Sequence, residues 1–272
     1  MHTTAAIPPG GAIRRDTYVL THVFGITLVL ALLAEVAHHS GLDLAVARLF
    51  FDADTNGFPW RTSRLLEMLG HRIVLVLPVG VAVAALAAAL ASHWFPMLKP
   101  WRGTLWAVAL TCGLGQLAIS QLKHHTALPR PYNLSMFGGY AGYPAHFWAR
   151  SRQDAGGALP SNHAGAGYAL LSLYFAGWAM GRPAWRWGGL AIGICAGLLF
   201  SMVRIMQGAH FLSQTLWSAC VMWGVASILF YAVITRRRRA SHDGGLSTAP
   251  GGLPPDLHPS RMPGSHNENA GT

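Results

Sequence analysis

Charge is what this chain has least of. Only 11% of its 272 residues are Asp, Glu, Lys or Arg, against roughly a quarter in soluble domains. Acid is scarcer than base: ten carboxylates face twenty Lys and Arg, a formal net charge of +10. Between Asp154 and Asp243 there is no acid at all. Cysteine is nearly missing too. Cys112, Cys195 and Cys220 each lie inside an apolar run with no CxxC spacing, which excludes a disulfide framework or a cysteine zinc site and reads as three buried small hydrophobes. The excess of base does not form a stripe on a soluble module. It flanks apolar runs, a pattern suited to anionic head groups and topogenic signals and not to nucleic acid.

Apolar residues are what the chain does have, 52% of the total, gathered in runs close to the ~20 helical residues that cross a bilayer. The runs are 18–37, 73–94, 105–122, 164–180, 188–206 and 213–235, and they predict an all-α bundle of six transmembrane helices. A cytoplasmic segment 1–17 precedes the spans, and a basic, disordered tail follows at 236–272, opening on the run Arg236 to Arg239. The first run exceeds the usual apolar core of a signal peptide and lacks a small-residue cleavage site, so it reads as an uncleaved anchor. Residues 38–71 fit an amphipathic helix, with Leu42, Leu44, Ala45, Val46, Leu49 and Phe50 on one face, followed by Phe58-Pro59-Trp60-Arg61. That stretch serves either as an interfacial anchor or as a lid or lipid-entry wall.

Basic residues set the orientation. Arg14 and Arg15, Lys99 and Arg102, Arg182 and Arg186, and the four-arginine run fall on alternate loops, which the positive-inside tendency assigns to the cytoplasm. The loops 38–71, 123–163 and 207–212 then share the other face. Three motif groups emerge there: Lys123-x6-Arg130-Pro131, Pro160-Ser161-Asn162-His163, and Ser201-x2-Arg204-x5-His210.

Those residue types suit phosphate hydrolysis without a metal. Fixed cations hold non-bridging oxygens, a nucleophile attacks in line, and an acid protonates the leaving oxygen. Lys123, Arg130 and Arg204 supply charge, the arginines as planar forks. Ser161 adds a hydroxyl, and backbone amides near Asn162 add donors. Two helices begin at these motifs, and helix starts favour anions. Two histidines can divide nucleophile and acid roles if their surroundings separate their pKa values. His124, His125 and His146 raise the question of a metal. Adjacent histidines point apart and no carboxylate cluster accompanies them, so they read as interfacial or head-group residues, with no metal and no cofactor expected.

The three motifs together resemble the signature of the type 2 phosphatidic acid phosphatase superfamily, which includes bacterial acid phosphatases and vanadium haloperoxidases. The resemblance spans roughly residues 100–215 and implies the six-transmembrane helical bundle of the family's membrane branch. It further implies a metal-independent phosphatase working through a phosphohistidine. His210 would be the nucleophile and His163 the general acid, with Lys123, Arg130, Ser161, Asn162 (through its backbone) and Arg204 binding phosphate. The chain departs from the family pattern in three places. Asn162 replaces a glycine, where tolerance of left-handed backbone would matter. Val203 stands where the family has the serine before its arginine, leaving Ser201 a neutral span residue. Gln214 occupies the place of the aspartate that orients the nucleophilic histidine. A carboxylate standing in for it would have to come from Asp154 or the 38–71 loop.

The resulting expectation is a lipid phosphate or diphosphate phosphohydrolase of the bacterial inner membrane, its pocket facing the periplasm and its partners limited to the bilayer and the lipid. Undecaprenyl diphosphate, lipid A phosphate, phosphatidylglycerol phosphate and phosphatidic acid all fit, because the motifs read phosphate and not the tail. Two alternatives stand beside it: a lipid phosphotransferase, and a lipid-phosphate binding or transport protein weakened in catalysis at Gln214.

Overall fold

The computed structural model describes residues 13–68 and 76–246, with side chains described as far as residue 235. Eight helices carry the architecture: α1 (Arg15–His39), α2 (Leu42–Arg48), α3 (Val76–Ala91), α4 (Arg102–Leu122), α5 (Asn162–Tyr168), α6 (Ser172–Ala179), α7 (Pro183–Met206) and α8 (Leu212–Leu246). Among the described residues there is no sheet, only isolated bridges. α8 is the central post. It packs against α1, α4, α5 and α6, while α7 lies along α5 and α6, and α3 leans on α4.

The bundle is inverted relative to a soluble protein. Leu28, Leu32, Leu33 and Val36 on α1, Leu114 and Leu117 on α4, and Ile192, Leu198 and Met202 on α7 are all exposed. A continuous apolar exterior of this kind belongs in hydrocarbon. The interior combines small and polar side chains with large aromatics, Tyr18, Phe175, Phe200 and Phe230 among them. α4 buries Thr104, Ala107, Val108, Thr111, Cys112, Gly115 and Ile119, a clean helical stripe. On α7 the stripe is Gly189, Gly193 and Gly197. A Cβ on any of them would come within 3 Å of Leu173, Leu171 or Tyr168 atoms on the facing segment. Small residues at this spacing let backbones meet, which is how helices associate where no hydrophobic force separates protein from solvent.

Among the described residues four helical stretches are long and apolar enough to cross a membrane: Arg15–His39, Pro96–Leu122, Pro183–Met206 and Leu212–Thr235. The expectation of six is thus met for four. The apolar run at 164–180 is not one helix. It is split into α5 and α6 by a tight 3₁₀ turn over Ala169–Leu171, because Gly165 and Gly167 press it against α4 and α7. Val76–Ala91 is a shorter apolar helix, and the start of that run, 73–75, lies outside the described residues.

Three smaller expectations are corrected. Cys195 is exposed while Cys112 and Cys220 are buried, since Cys195 falls off the glycine stripe of α7. α8 does not stop at the four arginines but continues to Leu246; arginine is a good helix former and charge alone ends nothing. On α2 the anticipated single face is divided: Leu44 and Phe50 pack against Ala47, Phe58, Phe137 and Phe211, whereas Leu42 and Leu49 are exposed. Residues 1–12 of the N-terminal segment and 247–272 of the tail expected to be disordered lie outside the described residues.

Candidate active site

Lys123 caps the C-terminal end of α4, and Arg204 sits in the last turn of α7. Both ends carry the negative pole of a helix, which favours cations there. α7 then closes by bonding the Arg204 carbonyl to the N–H groups of Ala209 (2.9 Å) and His210 (3.3 Å). Gly208 makes the turn at φ +61°, and a Cβ there would meet the Phe58 ring at 2.4 Å. Glycine is therefore required twice over, by backbone conformation and by space. The turn aims His210 back toward Arg204 and Lys123. Tyr132 fastens the Arg130 loop to the same turn through its N–H to the Gly208 carbonyl, 3.0 Å.

His210 is 2% exposed and Gln214 fully buried. The Gln214 amide has no freedom to flip. Its Oε1 accepts the Phe211 N–H at 3.0 Å, and its Nε2 donates to the Pro129 carbonyl at 3.1 Å. A backbone N–H can only donate and a carbonyl can only accept, so the orientation is fixed from both sides. The Oε1 left facing His210 Nδ1 at 3.2 Å accepts a proton from it. The ring is thereby the Nδ1–H tautomer, with Nε2 unprotonated.

The electrostatics agree. Burial pushes the His210 pKa well below the ordinary histidine range, and the positive charges of Lys123, Arg204 and Arg130 push it the same way. The imidazole is neutral at physiological pH. Burial, followed by Arg130 and Arg204, likewise draws Lys123 down to about 8. These mutual effects set the three cations and the histidine within electrostatic range of one another. Arg204 donates through Nη1 to Gln207 Oε1 at 2.7 Å, while its Nε is buried with no hydrogen-bond partner, a donor that an oxyanion would satisfy.

The Pro160–His163 motif arrives from a different direction. Ser161 caps α5, accepting the Ala164 N–H at 3.4 Å. Its own N–H donates to Ser218 Oγ at 2.8 Å and lies 3.2 Å from the Gln214 carbonyl. The start of α5 is thus clamped onto the first turns of α8. Ser161 is fully buried in that role, whereas His163, one residue into α5, is partly exposed. Asn162 is helical and right-handed; among the described non-glycine residues only Asn56 has positive φ. The expected need for left-handed tolerance at Asn162 does not arise. Its carbonyl accepts from Gln116 Nε2 at 3.1 Å.

Several residues at the site carried no motif. Arg61, from the stretch read as interfacial, lies 3.8 Å over the Tyr132 ring, and Tyr132 OH accepts from Arg130 at 2.6 Å. The buried Asp43 accepts from both the N–H and the hydroxyl of Ser213, with His38 Nδ1 at 3.5 Å. It is a carboxylate from the 38–71 loop, as anticipated, but it is bonded to the residue before Gln214. Asp154 is exposed and bonded to Ser151. The partner of the His210 ring is therefore Gln214 itself. His124 and His125 are exposed, and His146 pairs with Arg150 Nη2 at 2.6 Å.

Helices with apolar exteriors, and a group of cations with a buried neutral histidine at their ends, define a multi-pass membrane protein. Residues 104–238 match the model of the PAP2 superfamily, and the chain carries a PAP2 superfamily domain over that stretch. The match takes in all three motifs and α4 through most of α8, leaving α1, α2 and α3 outside it. No curated protein and no solved structure matches the chain.

Proposed function

We propose that this protein is a metal-independent phosphohydrolase acting on a lipid phosphate or diphosphate through a phosphohistidine. The observation that carries the reading is the fixed Gln214 amide, which leaves His210 Nε2 unprotonated beside three cations. Nε2 attacks phosphorus while Lys123, Arg130 and Arg204 neutralise the non-bridging oxygens. His163 gives its proton to the leaving oxygen, then takes one from the water that cleaves the P–N bond, returning His210 to its starting form. Gln214 holds the Nδ1 proton throughout, as a carboxylate would, but without charge. The pocket opens at helix ends on one side of the bilayer. The distribution of Lys and Arg among the loops supports the periplasmic side of an inner membrane.

The test is inorganic phosphate release, in detergent with EDTA, from undecaprenyl diphosphate, phosphatidic acid, phosphatidylglycerol phosphate and lipid A. Release that resists EDTA and disappears in His210→Ala is the expected result. Transfer of label to an acceptor lipid without free phosphate would make the protein a phosphotransferase. Lipid binding without turnover, unchanged by His210→Ala, would overturn the enzyme reading.

A further inference from the structure

The end of the bundle opposite His210 holds a second cationic cavity. The turn from α6 to α7 encloses about 220 Å³, lined by Gly177, Trp178, Arg182, Pro183, Arg186 and Trp187. α7 rises roughly 27 Å between Arg186 and Arg204 at ~1.5 Å per residue, so this cavity and the candidate active site lie near opposite faces of the membrane.

Arg186 is not an ordinary interfacial anchor reaching for water. Its guanidinium stacks over Trp178 at 4.0 Å, Tyr174 at 4.8 Å and Trp187 at 5.1 Å. Nη2 donates to Tyr174 OH at 2.6 Å, and Nε is buried with no hydrogen-bond partner. Arg182, exposed at the start of α7, adds a second guanidinium. Among the described residues neither forms a salt bridge. A guanidinium held like Arg186 among tryptophans, with a buried donor and no counter-charge, is costly unless an anion completes it, and the exposed Arg182 stands ready to share that anion. The occupant must also suit its neighbours. Trp185 and Trp187 are both exposed at this level, the position of an interfacial aromatic belt, and the walls beside the arginines are apolar.

We propose that this cavity binds the phosphodiester head group of one anionic phospholipid from the leaflet opposite the catalytic pocket. Paired guanidiniums match phosphate geometry, and basic pockets between membrane helices are suited to lipid head groups. The cavity holds a head group and not a whole lipid, so the chains lie outside along the exposed face of α7. The bound lipid steadies the packing of α1 on α6, because Tyr174 OH also meets His22 Nε2 at 3.2 Å within the aromatic core.

Native mass spectrometry of the detergent-purified protein, with phosphatidylglycerol or phosphatidylcholine added, tests this. Phosphatidylglycerol should be retained at least ten-fold better than phosphatidylcholine. Arg182→Gln, whose side chain makes no structural bond here, and Arg186→Lys, which keeps charge but loses the stacked fork, should each cut that preference about ten-fold, ~1.4 kcal/mol. Lys123→Met, which disables the other pocket, should leave it unchanged, so failure here is distinguishable from failure of the phosphatase reading. Equal retention of the two lipids, equal retention by wild type and both variants, or full displacement by inorganic phosphate would each overturn the proposal.

Discussion

At the scale of single residues, the departure at position 214 matters less for orientation than for charge. Gln214 reproduces the tautomer control of a carboxylate because Phe211 and Pro129 hold its amide one way round. What it does not reproduce is a full negative charge beside the imidazole. Gln214→Leu should therefore lower kcat by at least about 10²-fold with KM little altered, by analogy with loss of the orienting group in hydrolytic triads. Gln214→Glu should act differently. An anion next to Nδ1 favours imidazolium and raises the His210 pKa, so the acid limb of kcat/KM should move to higher pH than in wild type; steady-state profiles from pH 4 to 8 separate the two. Lys123 governs the alkaline side. With its pKa drawn down to about 8, rising pH removes a charge proposed to bind phosphate, and KM should climb above that value. Lys123→Arg should flatten the climb. The sign for stability is opposite. The unfolded lysine holds its proton to higher pH than the folded one, so protonated Lys123 penalises the phosphate-free fold below about 8. That penalty is relieved as pH rises from there toward the ordinary lysine value, visible as a rising melting temperature over that window. The three cations and His210 were marked in the sequence by their motifs, and the structure sets them within electrostatic range of one another. The lock on Gln214 was not, since its partners are a backbone carbonyl and a backbone amide, groups that every residue has.

Helices and turns are where the catalytic geometry is set. Gly208 is the element-scale counterpart of Gln214: it ends α7, carries φ +61° and leaves room for Phe58. Gly208→Ala should cost about 1–3 kcal/mol from the left-handed backbone alone. By swinging His210 out of line, it should also depress kcat more than stability. Shrinking the ring with Phe58→Ala should recover only part of the loss, because the backbone strain remains; thermal melts and phosphate release on the single and double variants measure both. The long uninterrupted helices were readable from apolar run length, since a bilayer of fixed thickness fixes their length. The division of 164–180 into α5 and α6 was not. No proline marks it, and the cause is contact with α4 and α7, which no local window contains. The same holds for the clamp of Ser161 onto Ser218, two ordinary serines 57 positions apart. Asp43, met in sequence as one acid in an amphipathic stretch, proves to tie that stretch to the first turn of α8.

For the whole molecule, everything depends on whether the broken segment α5–α6 crosses the bilayer. If it does, the loop bearing Arg152 and the turn bearing Ala184 lie on opposite sides, and the three motifs share one face. If it merely dips in and returns, Arg152 and Ala184 share a side, and parity no longer brings the motifs together. The cysteine scarcity makes the question accessible. Cys112 and Cys220 are buried and Cys195 faces outward from the middle of α7, where a membrane-impermeant maleimide does not reach. Arg152→Cys and Ala184→Cys replace exposed side chains, neither of which makes a hydrogen bond. In sealed right-side-out inner-membrane vesicles, the impermeant reagent should label Arg152→Cys and spare Ala184→Cys until the vesicles are opened. The reverse pattern would keep the six-crossing topology but move the pocket to the cytoplasmic face. Labelling of both from one side would show that α5–α6 does not span. His210, at the far end of α7 from Ala184, would then lie across the bilayer from Lys123, which opens the loop bearing Arg152, and the shared pocket that their electrostatic coupling describes would be overturned.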